Sequence, residues 1–132
     1  MNNKPLIIVG GEPFSIFSEI FLKSIKKNNY KRPIILIISK DLFIQQMKRL
    51  NFKFQINLVN KDRFHLNKLS KKKINIINVD FKFKKIFDTI SNKSNYYIEE
   101  CFNIALKLLR KNTFAGLING PISKKIFYKI SF

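Results

Sequence analysis

The sequence has few of the residues that form disulfides or metal centres. It contains one cysteine, Cys101, and one histidine, His65, among 132 residues. A single cysteine excludes an intramolecular disulfide and fits a reducing compartment, so we expect a cytoplasmic protein. One cysteine and one histidine are also too few for the ligand sets that hold zinc or related metals. We therefore predict no metal site in these residues, with Cys101 in the apolar core and His65 in a solvated loop.

Long apolar runs are missing as well. Stretches such as Ile34–Ile38 are far shorter than the ~20 residues that a membrane-spanning helix needs. The apolar stretch near the N-terminus, Leu6–Val9, is broken at once by Gly10-Gly11-Glu12-Pro13, whereas a secretory signal peptide needs a longer one. These absences predict a protein that is neither inserted in a membrane nor exported.

Acidic residues are scarce, and this leaves a large positive charge. Eight Asp and Glu stand against 26 Lys and Arg, which gives a formal net charge of +18. Taken alone, the charge indicates a polyanionic partner such as RNA, DNA or anionic lipid. The alternative is a composition biased towards the residues of A/T-rich codons, because tryptophan is absent and the lysines are spread along the chain. In either case we expect non-specific nucleic-acid binding at low salt.

What the sequence does contain is an alternation of strand-like and helix-like segments. Hydrophobic residues make up 45% and charged residues 26%, which is typical of one globular domain. Continuous apolar runs predict buried strands, and amphipathic spacing with capping residues predicts helices. The predicted segments are, in chain order, strand Leu6–Val9, helix 16–28, strand Ile34–Ile38, a helix from Ser39 or Asp41 to Asn51, strand 52–58, loop 60–73, strand 74–79, helix 94–111, strand 115–118, a turn over Asn119, Gly120 and Pro121, and a helix that begins at Ile122.

One segment, residues 80–91, fits two interpretations. Phe81 and Phe83 alternate as in a strand, whereas Phe83 and Phe87 have helical spacing. Elsewhere the alternation predicts an α/β fold with a mostly parallel sheet, right-handed crossovers and helices on both faces. Residues 1–132 are expected to form a single α/β unit.

Two loops that contain glycine and proline follow predicted strands and resemble motifs of a known family. In α/β folds such loops lie at the carboxyl ends of strands, where ligands usually bind. Members of the 4-hydroxythreonine-4-phosphate dehydrogenase family, of pyridoxal phosphate (vitamin B6) biosynthesis, have a Gly-Glu-Pro-x-x-Ile-x-x-Glu motif after their first strand and a Gly/Ala-Pro-x-x-Lys turn further on. In this chain the first motif reads Gly11-Glu12-Pro13, Ile16 and Glu19, and the second reads Gly120, Pro121 and Lys124.

The resemblance runs from about residue 6 to residue 127 and corresponds to the N-terminal portion of a longer, two-domain family. It implies the first, incomplete part of an isocitrate/isopropylmalate dehydrogenase-like fold and a homodimer. The chain departs from the family in one stretch, where Ala-Gly-Ile-Gly-Pro is replaced by Phe14-Ser15-Ile16-Phe17-Ser18. The replacement removes the small residues that permit a close backbone approach to a ligand.

The activity implied by the resemblance is an NAD-dependent and metal-dependent oxidation. The substrate would be a phosphorylated hydroxy-amino acid, and decarboxylation of the β-keto acid would follow. The family's metal-binding histidines and its substrate-binding His-Thr pair lie beyond the Pro-x-x-Lys turn, and this sequence has no counterpart of them. We therefore assign no catalytic and no metal-ligating residue, and we expect these 132 residues to be inactive alone.

Three side chains at the two loops are candidates for substrate binding. Lys124 is placed to meet a phosphate, or is one more surface lysine. Glu12 either orients the substrate or accepts hydrogen bonds from N–H groups at the turn, and Asn119 uses its amide either for substrate or for the turn alone. The geometry of the loops is predicted to depend on four further residues, Gly11, Pro13, Gly120 and Pro121.

A different class of function is the alternative. Asn51-Phe52-Lys53-Phe54 and Phe81-Lys82-Phe83-Lys84-Lys85 interleave aromatic and basic residues, which suits base stacking combined with phosphate contacts. This pattern favours a small, basic RNA-binding α/β protein. A third hypothesis is a non-catalytic remnant that only folds or pairs with a partner, and that exposes an apolar face.

Overall fold

One parallel sheet carries the fold. The computed structural model describes residues 4–63 and 65–123. Within them, the strands are β1 (Leu6–Val9), β2 (Ile34–Ile38), β3 (Ile56–Leu58), β4 (Ile74–Asn78) and β5 (Gly116–Asn119). They lie in the order β3-β4-β2-β1-β5, and every neighbouring pair is parallel. The helices are α1 (Phe17–Lys27), α2 (Lys40–Arg49) and α3 (Asn95–Leu109), with single 3₁₀ turns at Leu66–Lys68 and Asn92–Ser94.

Strands β1 and β2 are apolar along their length because both of their faces are covered. Ile7 and Val9 of β1 pack in one cluster with Ile98 of α3, whereas Ile8 packs in a second cluster with Leu22 of α1. Successive residues of a strand point to opposite faces, so a strand between two helical layers is apolar at every position. The predicted α/β fold, with a parallel sheet and helices on both faces, is confirmed.

Capping residues set both ends of α2. Ser39 precedes the helix, and its hydroxyl oxygen accepts a hydrogen bond from the N–H of Leu42 at 3.4 Å. Asn51 follows the helix with a left-handed φ of 64°, and its N–H bonds to the carbonyl of Lys48 at 3.1 Å. The predicted ends of this helix are confirmed.

Among the described residues, no helix has the length and apolar character to cross a membrane.

Two segments of the structure differ from what the sequence predicted. Of the predicted strand 52–58, only Ile56–Leu58 pairs with β4, while Phe52 and Phe54 stack on each other and pack against the cluster beneath α1 and α2. Residues 80–91 form neither a helix nor a strand. Irregular chain can bury aromatic side chains as well as a strand does. The alternate spacing of Phe52 and Phe54 therefore did not show that residues 52–55 form a strand, and neither interpretation of residues 80–91 holds. Most of the helix predicted from Ile122 lies outside the described residues.

The direction of winding reverses beside β1. Helix α1 leads from β1 to β2, and α2 continues in the same direction towards β3 at the edge of the sheet. Helix α3 then returns along the other face from β4 to β5, on the far side of β1. In open α/β sheets, ligands bind in the crevice at such a switch point, outside the carboxyl ends of the strands. The fold therefore directs attention to the loops that follow β1 and β5.

Candidate functional site at the carboxyl ends of β1 and β5

The loops that follow β1 and β5 are in direct contact. The N–H of Gly120 donates to the carbonyl of Val9 at 2.7 Å, and the N–H of Glu12 donates to the carbonyl of Pro121 at 2.7 Å. These two bonds continue the pairing of β1 with β5 beyond the last strand residues. The two motifs from opposite ends of the described chain thus form one structural unit.

The contact is so close that a side chain does not fit at two positions. Gly11 has a φ of +75°, and a Cβ atom there would lie 2.5 Å from the carbonyl oxygen of Pro121. A Cβ atom on Gly120 would overlap the backbone of Gly10 and lie 2.9 Å from a ring carbon of Phe17. Both positions require glycine, Gly11 for its backbone conformation as well as for space.

Glu12 points into the protein. Its side chain is 3% exposed, and the hydroxyl of Ser94 lies 2.8 and 3.0 Å from its two carboxyl oxygens. Ser94 directly precedes α3, so the carboxyl group lies near the positive end of that helix dipole. Burial raises the pKa of Glu12 above its ordinary value of 4.5, while hydrogen bonds from Ser94 and from the N–H of Phe14 act in the opposite direction.

The Ser94 hydroxyl is shared between Glu12 and the backbone of the preceding turn. The Ser94 hydroxyl lies 3.1 Å from the carbonyl oxygen of Ser91 as well, so its single hydrogen faces three acceptor oxygens when Glu12 is ionised. Because this one hydrogen is shared, the hydrogen bond from Ser94 offsets only part of the effect of burial on the pKa of Glu12.

We expect Glu12→Gln to become relatively more stabilising as pH rises. Because the pKa of Glu12 is higher in the folded state than in the unfolded state, its contribution to the free energy of unfolding falls as pH rises from the unfolded pKa through the folded pKa. Glutamine does not titrate. The difference in free energy of unfolding between variant and parent, measured by urea unfolding, should therefore shift towards the variant as pH rises above the ordinary pKa of 4.5. A difference that is constant, or that shifts towards the parent, contradicts a raised pKa.

A second buried hydroxyl lies one turn further along α3. Tyr97 is 4% exposed, and its hydroxyl oxygen accepts a hydrogen bond from the N–H of Ser39 at 2.7 Å, which ties α3 to the end of β2. Burial raises the pKa of Tyr97 well above its ordinary value, and Cys101 and Glu12 act in the same direction. Burial raises the pKa of Cys101 to about 12, so this thiol is not a nucleophile near neutral pH. Cys101 is a core residue, as predicted.

Gln46 holds the loop after β1 in place, and no motif in the sequence points to it. Its amide oxygen accepts from the hydroxyl of Ser18 at 2.6 Å, and its amide nitrogen donates to the carbonyls of Pro13 and Ile86, each at 2.9 Å. One side chain, 1% exposed, therefore joins α1, α2, the loop after β1 and the irregular segment 80–91. The sequence could have pointed to Gln46 only through its position three residues after Phe43, which places it on the buried face of α2.

Asn119, another candidate residue, lies on the exposed side of the same contact. The strand register places Asn119 beside Val9, and its exposed side chain donates to the carbonyl of Gly120 at 3.1 Å. Glu12 and Asn119 thus belong to neighbouring strand ends, one buried and one exposed. Lys124 lies outside the described residues. The substrate-binding roles of these three residues stay predictions.

An open cavity of about 420 Å³ lies further along the same edge of the sheet, beside Tyr97. Asp80 and Phe81 line it after β4, and Lys93 and Tyr96 line it near the start of α3. Phe81 is not a free stacking surface, because its ring packs against that of Tyr97 with the centroids 4.8 Å apart. The cavity has side chains of both charges, so its charge alone does not select the sign of a ligand.

The described residues do not fit a metal centre. Over residues 4–63 and 65–123, no group of three or more His, Cys, Asp or Glu side chains is placed to hold an ion. His65 is exposed, next to the 3₁₀ turn Leu66–Lys68. The divalent metal that the resemblance implies therefore has no fitting donor set in this part of the chain.

Together, the fold and the crossing loops define a class of protein, a doubly wound parallel α/β domain with its candidate site at the switch point. No family model matches the chain, and no curated protein matches its sequence. Solved structures do match it. A 4-hydroxythreonine-4-phosphate dehydrogenase from Klebsiella pneumoniae is 15% identical, with a TM-score of 0.76 over 97% of this chain and 40% of its own.

Two further structures give the same result. A 4-hydroxythreonine-4-phosphate dehydrogenase from Burkholderia phymatum is 12% identical, with a TM-score of 0.73 over 92% of this chain and 37% of its own. A candidate 4-hydroxythreonine-4-phosphate dehydrogenase from Salmonella typhimurium is 14% identical, with a TM-score of 0.79 over 96% of this chain and 39% of its own. The resemblance predicted from the two loops is confirmed as a likeness of fold, and the chain spans about two fifths of the length of each structure.

Proposed function

We propose that this chain is the N-terminal portion of an oxidoreductase that resembles 4-hydroxythreonine-4-phosphate dehydrogenase and acts in vitamin B6 biosynthesis. The observation that carries the proposal is the contact between the loops after β1 and β5, which brings Gly11-Glu12-Pro13 and Gly120-Pro121 together at the switch point. These are the two motifs on which the resemblance rests. The match of nearly the whole chain to part of three dehydrogenase structures supports the same conclusion.

In this proposal the crevice outside the carboxyl ends of β1 and β5 binds a phosphorylated hydroxy-amino acid. Asn119 is exposed there, and its amide donates to an anionic oxygen once it releases the carbonyl of Gly120. Lys124 supplies positive charge for the phosphate. Glu12 is buried against Ser94, so we place it as a positioning residue that holds the loop after β1 against the start of α3.

The divalent metal would be bound outside the described residues, and the NAD outside the loop after β1. A metal donor set does not occur in residues 4–63 and 65–123. Residues 10–13 are all buried, so the loop after β1 offers no open cradle for a dinucleotide. We therefore assign no oxidation step to the side chains of this chain. A homodimer and a cytoplasmic location complete the proposal, and both rest on the resemblance and the single cysteine.

Ligand titration tests the proposed crevice. In calorimetric titration of the natural polypeptide with 4-hydroxythreonine 4-phosphate, we expect saturable binding that Asn119→Ala and Lys124→Ala each weaken about tenfold, because each removes a hydrogen bond to a charged group. Lys111→Ala is the matched control, since it removes one exposed positive charge beyond the end of α3 and should leave the affinity unchanged. Absence of binding, or equal losses in Lys124→Ala and Lys111→Ala, would overturn the assignment of this crevice.

A further inference from the structure

A second cavity, of about 290 Å³, lies at the opposite, amino-terminal edge of the sheet. It opens between the end of α1 and the segment that leads into β4. Four cationic side chains line it, and these are Arg32, Lys71, Lys72 and Lys73. The described residues that line it include no Asp or Glu. A concave surface lined by one sign of charge concentrates ions of the opposite sign, so the cavity attracts anions.

Aromatic and apolar side chains lie between these cations. Tyr30 and Phe54 line the cavity, together with the apolar side chains of Ile25 and Ile34. Tyr30 is 45% exposed, and its hydroxyl forms a hydrogen bond with that of Ser24, which fixes the position of the ring. Aromatic rings beside cationic groups are the surfaces on which nucleic-acid bases stack.

The backbone that presents the lysines is held by hydrogen bonds from the side chains of Asn75 and Ser70. Asn75, 2% exposed, accepts from the N–H of Ser70 at 2.9 Å and donates to the carbonyls of Ser70 and Ile34 at 2.8 and 3.0 Å. The hydroxyl oxygen of Ser70 in turn accepts from the N–H groups of Lys72 and Lys73 at 3.1 and 2.8 Å. The lysines therefore extend from a fixed turn, which lowers the entropy cost of ordering them around a ligand.

These cations are not neutralised within the described part of the chain. The ion pairs found there are Lys23 with Glu19 and Lys40 with Asp41, and neither involves a residue of this cavity. Arg32 donates to the carbonyl of Lys4 at 2.7 Å, which orients the guanidinium without cancelling its charge. The cavity thus combines uncompensated positive charge, an aromatic wall and a defined backbone.

We propose that this cavity binds a nucleotide, with the phosphate on Arg32 and the three lysines and the base against Tyr30. A volume of about 290 Å³ is at the lower end for small-molecule sites, so it suits one nucleotide unit. A free nucleoside phosphate and a unit of single-stranded RNA share this chemistry. The inference is independent of the proposed dehydrogenase site, because it uses none of the residues at the other edge of the sheet.

Binding measurements on the purified chain test the proposal with two probes. AMP is titrated by calorimetry, and a fluorescein-labelled oligoadenylate is followed by fluorescence anisotropy. The double variant Lys71→Glu/Lys72→Glu should lower the affinity for the probe that binds by at least about tenfold. It should also reduce the slope of the logarithm of the binding constant against the logarithm of the salt concentration by about one per lysine. The matched control is Lys84→Glu/Lys85→Glu, which makes the same change of charge at exposed positions in segment 80–91 and should have little effect. Tyr30→Ala should weaken binding clearly more than Tyr30→Phe, which keeps the ring and loses only the hydrogen bond to Ser24.

The outcomes distinguish a free nucleotide from a nucleotide within RNA, and both from the absence of a specific site. Binding of AMP with the expected variant effects supports a free nucleotide as the ligand. Binding of the oligoadenylate alone, with the same effects, supports a nucleotide within RNA. The proposal is overturned if neither probe saturates, or if the two double lysine variants weaken binding equally, because the charge effect is then diffuse. It is also overturned if Tyr30→Ala and Tyr30→Phe behave alike.

Discussion

Gly11→Ala is expected to lower the free energy of unfolding by about 3 kcal/mol, because it combines a left-handed backbone conformation with an overpacked contact. The φ of Gly11 is +75°, and the added Cβ atom would lie 2.5 Å from the carbonyl oxygen of Pro121. That atom belongs to the backbone, so it cannot move aside as a flexible side chain would. Urea unfolding followed by circular dichroism measures the change.

Gly116→Ala provides the matched control for this substitution. A Cβ atom on Gly116 would have Leu6 Cδ1, at 4.0 Å, as its nearest neighbour, which is ordinary van der Waals contact. We expect a change within about 0.5 kcal/mol there. We also expect the combined cost of Gly11→Ala and Gly120→Ala to be less than the sum of the two, because either one already separates the same pair of loops. Equal stability of the Gly11 and Gly116 variants would contradict the close contact.

Gln46→Leu is expected to lower the free energy of unfolding by about 3 kcal/mol. Leucine is similar in size to glutamine but has no amide, so three polar groups are left without their partner. These groups are the hydroxyl of Ser18 and the carbonyls of Pro13 and Ile86. Segment 80–91 should also exchange its amide hydrogens faster, since one of its attachments to α2 is lost. Urea unfolding and hydrogen–deuterium exchange measure the two effects.

Gln45→Leu is the control for the same chemical change on the same helix. Gln45 is exposed, so its substitution should change the free energy of unfolding by no more than about 0.5 kcal/mol and leave the exchange of segment 80–91 unaltered. A small effect of Gln46→Leu, similar to that of Gln45→Leu, would show that the buried amide does not hold the loop.

The fold was predictable where one local pattern had one structural solution. The continuous apolar runs of β1 and β2 fit only strands covered on both faces, and Ser39 and Asn51 cap α2 as their residue types indicate. The prediction was wrong for residues 52–55, where alternating phenylalanines pack on the core from irregular chain. Such spacing describes which side chains are buried, and it does not describe the backbone that carries them.

The candidate site was predictable only in part, because its chemistry depends on distant residues. The sequence places Glu12 in a loop at the end of a strand, which predicts an exposed ligand-binding position as readily as a buried one. Its partner Ser94 is 82 residues away, and the contacts of Gln46 with Pro13 and Ile86 span 33 and 40 residues. No local periodicity carries information over such separations, so the inward direction of Glu12 emerges only from the packing of α3 on the sheet.

The intact mass of the natural polypeptide tests the proposed function most directly. The 132 residues correspond to 15.6 kDa, and they span about two fifths of the dehydrogenase structures that they match. For the N-terminal portion of a longer enzyme, mass spectrometry of the protein isolated from its source should give a value well above 15.6 kDa, with additional histidines in the sequence beyond Phe132. A mass of 15.6 kDa would contradict the proposal, unless a second chain supplies the metal site.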